Sequence, residues 1–565
     1  FKAPLTQWAS PPAAHEAMPL ASAEALIART LAARPEVARD FTLQLQEVPA
    51  SSARLVWRVA GKNADEHDGG GARHYEARLD AEGMATAEER HPLRLGEFID
   101  TLHRVVGLPV DNDPNRWFMG VVSLLYALAL VSGIVLVSPT LVRDFFALRV
   151  GRNLKRLLLD AHNVVGIVSL PFHLVMALTA VVFAFHDEIY LLQNRFLYDG
   201  NLPAIMQGGR KPAEAGVPRH PADMLAPQEL IARVRAVAPG FTPDSLQYLQ
   251  VTGARAVVRV WGKDSGAIQP RARGGFAAID PYSGRILSQD FLPGRQSTAA
   301  LVVSSFFALH MAAFGGTAVQ WMYFVLGIGG AWLFYSGNLL WIESRRRKAQ
   351  GPECAQPGER RDVRIMAALT AGICLGSVCG ISATLVATKW LVHLGLAPDG
   401  WYAPIYYASF FACIGWSFLK GEDRAPVHLL YLAAALTLAM PVSTAVLLNA
   451  PDLASLAIGD VRTFAVDLSA FVGALCLAGM SAMAKTAVTS GARFRMAEIV
   501  RLAMPVRLRP WAPAGRIEDF PNQRIVRNSV QCRRAVLDAG FRRDGMADHC
   551  GYPNDSTTSP LACAV

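Results

Sequence analysis

The stretch DAHNVVGIVSLPFHLVMALT, Asp160 to Thr179, places His162 and His173 eleven residues apart in an otherwise apolar run. Eleven residues are three helical turns, so both rings fall on nearly one face, about 16 Å apart along the axis. Ionisable groups inside a bilayer cost roughly 2.5–3.5 kcal/mol when charged, and those that persist usually face a partner or a cofactor. Two imidazoles at different depths suit two b-type haems, flat apolar rings held by axial histidines and able to pass electrons across a membrane. His162 follows Asp160 at the helix end and also reads as an interfacial residue. Pro171, two residues before His173, frees a backbone carbonyl that this ring or a water could satisfy.

The elements that must position these rings are membrane spans. The chain has 565 residues, 52% hydrophobic and 18% charged, where a soluble domain carries about 25% charged residues. Runs long enough to cross a bilayer, roughly 20 apolar residues, occur near 117–138, 163–185, 319–342, 366–388, 402–419, 427–448 and 463–484. Seven spans are therefore expected. The net charge of +9 reflects topology and gives no reason to invoke nucleic acid: Arg143, Arg149, Arg152, Lys155 and Arg156, then Arg345 to Lys348, then Lys485, Arg493 and Arg495 mark three cytoplasmic segments. Residues 1–115 and 186–300 are then external. Because the chain starts at Phe1 on the external side, a leading span is expected before it, making eight when intact. The cysteines, Cys354, Cys374, Cys379, Cys413, Cys476, Cys532, Cys550 and Cys563, all fall outside the external segments and include no CxxC pair.

The two external segments repeat one another. ALIARTLAARPEVA from Ala25 matches ELIARVRAVAPGF from Glu229, WRVAGK from Trp57 matches VRVWGK from Val258, and ARLDAEG from Ala77 matches AAIDPYSG from Ala277. Each copy reads as an amphipathic helix followed by short alternating strands, a small α+β domain. TLHRVVG at Thr101 and ALHMAAFGG at Ala308 extend the match, so His103 and His310 hold equivalent places before a span. Gly133, Gly166, Gly315, Gly316 and Gly327 would admit a flat ring to the backbone, although such glycines also serve ordinary helix packing. His186, beside Asp187 and Glu188, reads as a solvated boundary, and His393 and His428 as interfacial residues. His15, His67, His74, His91 and His220 lie in external sequence, where nothing in their spacing demands a ligand.

The paired repeats, the LHRVVG and LHMAAFGG segments and DAHNVVGIVSLPFHLVMALT together resemble the PepSY-associated transmembrane family, over about residues 15–345. Within that family the chain is most similar to inner-membrane ferric-siderophore reductases and iron-regulated membrane proteins. The resemblance implies an α-helical polytopic protein of the bacterial inner membrane with two PepSY-like periplasmic domains. It also implies b-type haem, two per chain, and delivery of electrons to a ferric siderophore. His162 would ligate the inner haem with a histidine of the missing leading span; His173, His103 and His310 would supply two ligands to the outer one. No nucleotide fingerprint is present, since GGGARHY at Gly69 is external and GIGGAW at Gly327 is inside a span. The electron donor is then a membrane quinol or a separate cytoplasmic reductase.

The expected organisation is 1–115 first external domain, 116–185 two spans with a basic loop, 186–300 second external domain, 301–345 third span with its LH motif, and 346–490 four further spans. Residues 491–565 read as a disordered or frame-shifted tail. A rival reading is a non-enzymatic scaffold or transporter component whose external domains bind a chelate or peptide; a redox-active chromophore separates the two.

Overall fold

The computed structural model describes residues 2–9, 18–45, 54–59, 73–110, 116–141, 154–201, 219–271, 274–349, 361–449 and 461–489. The tail, His15, His67 and most of the basic loop after the first span lie outside the described residues.

The first repeat follows a short helix α1 (Lys2–Ala9) and comprises α2 (Ala23–Ala33), strands β1 (Asp40–Gln44), β2 (Leu55–Val59), β3 (Arg73–Leu79) and β4 (Ala85–Arg90), and α3 (Leu95–Arg104). After α4 (Trp117–Val137), α5 (Leu154–Ala184) and α6 (His186–Phe196), the second repeat runs the same course. It has α7 (Pro227–Val237), β5 (Thr242–Leu249), β6 (Val257–Lys263), β7 (Gly275–Ile279), β8 (Ile286–Ser288) and α8 (Thr298–Met311). Leu26, Ile27 and Leu31 of α2 and Leu230, Ile231 and Val234 of α7 bury one helical stripe each, and the strands alternate, with Phe41 and Leu43 inward and Asp40, Thr42 and Gln44 on the other face. Asp80 and Asp280 start the hairpin turns after β3 and β7, their carboxylates accepting from Met84 N and from Tyr282 N. Gly83 and Gly284 supply the left-handed residue each turn needs, at φ 77° and 70°.

The repeats merge into one structure. The strand order is β4-β3-β2-β1-β5-β6-β7-β8, closed at its centre by antiparallel pairing of β1 with β5, Phe41 opposite Tyr248. Those two rings stack at 4.6 Å with planes 4° apart, inside a single core that α2 and α7 both cover. The expected boundaries at 1–115 and 186–300 thus divide halves of one sheet.

Among the described residues six helices are long and apolar enough to cross a membrane: Trp117–Val137, Arg156–Ala184, Gly316–Arg346, Arg361–His393, Arg424–Asn449 and Thr463–Thr486. They belong to α4, α5, α9 (Gly316–Ala349), α10 (Arg361–His393), α11 (Tyr402–Asn449) and α12 (Val461–Thr489). The protein is a multi-pass membrane protein. The expected run at 402–419 is the first half of α11, which breaks at Gly421 with φ 72° and ψ 176°. That half runs antiparallel to α10: a Cβ on Gly372, Gly376 or Gly380 would meet Ile414, Cys413 and Tyr406 in turn, at 3.0, 3.1 and 2.8 Å. The second half returns parallel to α10, with Ser382 bonded to Thr437 and Trp390 to Ser443. Glycines four residues apart let these backbones close together, the small-residue packing typical of membrane helices.

Candidate functional site

Helix α5 continues through Pro171 and organises the histidines. It packs antiparallel on α9: a Cβ on Gly337 would lie 3.8 Å from His162 Cε1, one on Gly166 3.6 Å from Leu333, and one on Gly330 2.9 Å from His173 Cε1. His162 Nδ1 is 2.8 Å from Ser336 Oγ, and that hydroxyl donates to Leu333 O. Ser336 therefore accepts from Nδ1–H, and Nε2 keeps the lone pair. A ring nitrogen held in this way is the usual companion of a metal-binding one on the same imidazole. His310 on α8 repeats the device against α5. Its Nδ1 is 2.9 Å from Thr179 Oγ1, which donates to Val175 O, again leaving Nε2 basic. His173 is 2% exposed, and its Nε2 has no partner among the described residues, as is also true of the nearby Tyr126 hydroxyl.

A cavity of about 430 Å³ opens between α4, α5 and α9, with Tyr126, Gly133, His162, Gly166, Phe334 and Gly337 among its lining residues. That volume is within the range of ligand pockets, roughly 300–1,000 Å³. Gly133, with nothing within 4 Å of a would-be Cβ, and Gly166 open its walls.

Of the four histidines singled out from the sequence, His162 and His173 share α5, and His310 is tied to that helix through Thr179. Thr179 lies seventeen residues beyond His162, about 26 Å at 1.5 Å per residue. His103 on α3 comes near enough to His310 for the two rings to repel when charged. His103 is exposed on α3, and the protein on its other side still lowers its pKa, opposed by Asp100 and aided by Arg104.

Other readings shift. Gly315 and Gly316 have φ of 62° and 65° and turn the chain between α8 and α9, so they make no wall for a ring. His186 is held by Phe183 O at 2.7 Å and Asp187 at 3.2 Å, as suits a boundary residue. His428 takes a hydrogen bond from Trp416 Nε1, and His220 caps a short helix by accepting from Ala222 N. Ser336, Thr179, Gly330 and Gly337 went unnoticed in the sequence: a hydroxyl in an apolar run shows no partner, and nothing sets Gly330 and Gly337 apart from the other glycines of the spans. Among the described residues no three His, Cys, Asp or Glu side chains are grouped to hold a bare metal ion. The described cysteines, Cys374, Cys379, Cys413 and Cys476, are unpaired.

The family model for the PepSY-associated TM region matches residues 1–344. The chain belongs to the PepSY-associated transmembrane family. A comparison with curated proteins returns no match. In this PepSY-associated transmembrane protein the match takes in the whole sheet, α4, α5, α8 and nearly all of α9, and with them all four histidines. Two features of the slot suit a haem, its apolar walls opened by glycines and a lining histidine whose Nδ1 is occupied; His173, buried with its Nε2 unpartnered, is not among the residues that line it.

Proposed function

We propose that this chain is a haem-bearing inner-membrane oxidoreductase that passes electrons across the membrane to a ferric siderophore in the periplasm. The observation that carries the reading is the arrangement on α5: His162 beside a glycine-opened cavity with its Nδ1 engaged, and His173 buried with Nε2 unpartnered. When bound, b-type haem supplies reversible one-electron transfer.

His162 is the candidate axial ligand of the inner haem. His173, His103 and His310 are the candidates for the outer haem, of which two serve. Ser336 and Thr179 fix the ring orientation and tautomer of His162 and His310. Phe334, Leu333 and Ile167 keep water from the slot. The electron donor on the basic side is a quinol or a cytoplasmic reductase. Reduction of the ferric ion loosens its hard oxygen ligands and frees ferrous iron without breaking the chelator. The eight-stranded sheet occupies the periplasmic side in this reading, and the first half of α11, antiparallel to α10, is a seventh crossing in addition to the six helices above.

The test is a dithionite-reduced minus oxidised spectrum of the detergent-purified full chain, with pyridine haemochrome quantification. Expected is a b-type signal approaching two haems per chain. A colourless protein after haem-replete expression overturns the reading.

A further inference from the structure

The sheet face turned away from α2 and α7 holds a cleft of about 370 Å³ lined by Asp40, Gln44, Arg58, His74, Arg90 and Trp261, among others. Strand register lines up three basic side chains. Arg58 on β2 stands opposite His74 on β3, which stands opposite Arg90 on β4. Two guanidiniums flanking an imidazole on one face raise a positive potential along the row, which an anion would offset. Among the described residues the acidic groups near the row include these. Glu76 lies 4.0 Å from Arg90 and is shared with Arg78, at 2.5 Å. Asp40 accepts from Gln247 Nε2 at 3.2 Å, and Gln247 in turn accepts from Trp261 Nε1 at 3.4 Å. Arg58 is exposed and has no ion-pair partner among the described residues. Gln44 Oε1, at the opposite end of the cleft, is buried without a hydrogen bond.

We propose that this cleft binds a polycarboxylate, and that the ferric chelate the protein handles is of that anionic class. Arg58 and Arg90 sit two strand spacings apart, roughly 9.6 Å between backbones, so separate acidic groups of one ligand engage them. Gln44, Thr42, Ser245 and Gln247 face its hydroxyl and carbonyl oxygens at the other end. Burial and Arg58, with Arg90 and Arg94, depress the His74 pKa against the opposing Glu97. The inference rests on the reading above only in taking the bound metal to be iron.

The test is calorimetric titration of the detergent-solubilised full chain with gallium(III) citrate, a redox-inert stand-in for the ferric complex. The cationic gallium complex of a trihydroxamate chelator runs alongside. Expected is saturable binding of the citrate complex, weakened at least about tenfold by Arg58→Gln, as loss of a charge-assisted hydrogen bond entails. The Arg285→Gln variant, an exposed arginine outside the cleft, leaves it unchanged. No saturable binding of the citrate complex overturns the proposal, as does undiminished binding in Arg58→Glu or equal affinity for the cationic complex. Haem content is read separately: a colourless protein that binds gallium citrate loses the electron path and keeps the cleft, and a haem-loaded one that does not bind loses the cleft alone.

Discussion

The membrane part of the molecule is built in two manners. Around α10 the helices close on one another. Half of the span Arg361–His393 is buried, its glycines touch α11 backbone, and at the sheet end Lys389 bonds Thr444, which bonds Asp467, which accepts from Trp8 of α1. Around α5 they do so less fully. Only 11%, 28% and 22% of the spans on α4, α5 and α9 are buried, and the glycines open a cavity. In the first region glycine serves helix contact; in the second Gly133 and Gly166 leave space, while Gly330 seats the His173 ring. Histidines follow the same division, since those of α5 sit inside the bundle while His428 and His393 stand at helix ends.

The sharpest way to break this comparison is to remove the histidines of each region. His162→Ala and His173→Ala are each expected to abolish at least one haem's worth of the reduced-minus-oxidised signal, whereas His393→Ala and His428→Ala leave it whole. Equal losses from all four would show that haem content merely reports folding.

Filling glycines comes next. Gly376→Leu drives a side chain into Cys413 and the Phe410 carbonyl, which a lone Cβ already approaches at 3.1 and 3.2 Å. Overpacking of that kind costs about 1–3 kcal/mol or more, so a fall in melting temperature is expected. Gly166→Leu instead projects into cavity space and meets only Leu333, at 3.6 Å from its Cβ. It is expected to keep the melting temperature of the haem-free protein while excluding haem. The same thermal loss in both variants would erase the distinction.

Lys389→Met probes the closed region alone. Lys389 is 7% exposed and also lies 4.0 Å from the Trp8 ring centroid. Removing its charge strips Thr444 of a donor and Trp8 of its cation, a loss of about 1–3 kcal/mol. Haem content should stay unchanged at temperatures below the transition.

What the sequence shows and hides follows the range of the interaction involved. Apolar runs, the duplicated unit and the histidine spacing on α5 are local patterns, and each is present in the structure. The joining of the repeats is not local: β1 meets β5 across some two hundred residues, and neither strand's alternation says which edge it will pair with. The separation of the runs at 402–419 and 427–448 is legible in the sequence and the structure divides them at Gly421; that the chain reverses at one left-handed glycine is not, because a glycine between apolar runs signals a loop as readily as a tight reversal. The row Arg58, His74 and Arg90 exists only once β2, β3 and β4 are in register. Ser336 and Thr179 became visible only through their partners, His162 and His310.

Ser336→Ala carries the smallest expected effect and tests whether the open region is built for a ligand. The hydroxyl accepts a hydrogen bond from Nδ1–H of His162 and donates its own to Leu333 O. Without it the imidazole can rotate or change tautomer, and the lone pair that a haem iron would meet is presented only part of the time. Loss of such an outer partner typically costs 10–100-fold in metal affinity, so haem retention on dilution should weaken by about tenfold with the fold intact. In the closed region Ser443→Ala removes a comparable hydroxyl, which accepts from Trp390 Nε1 at 3.0 Å. It should lower stability by about 1 kcal/mol and leave haem retention unaltered. Equal haem retention in the two serine variants would mean that Ser336 packs against His162 without orienting it.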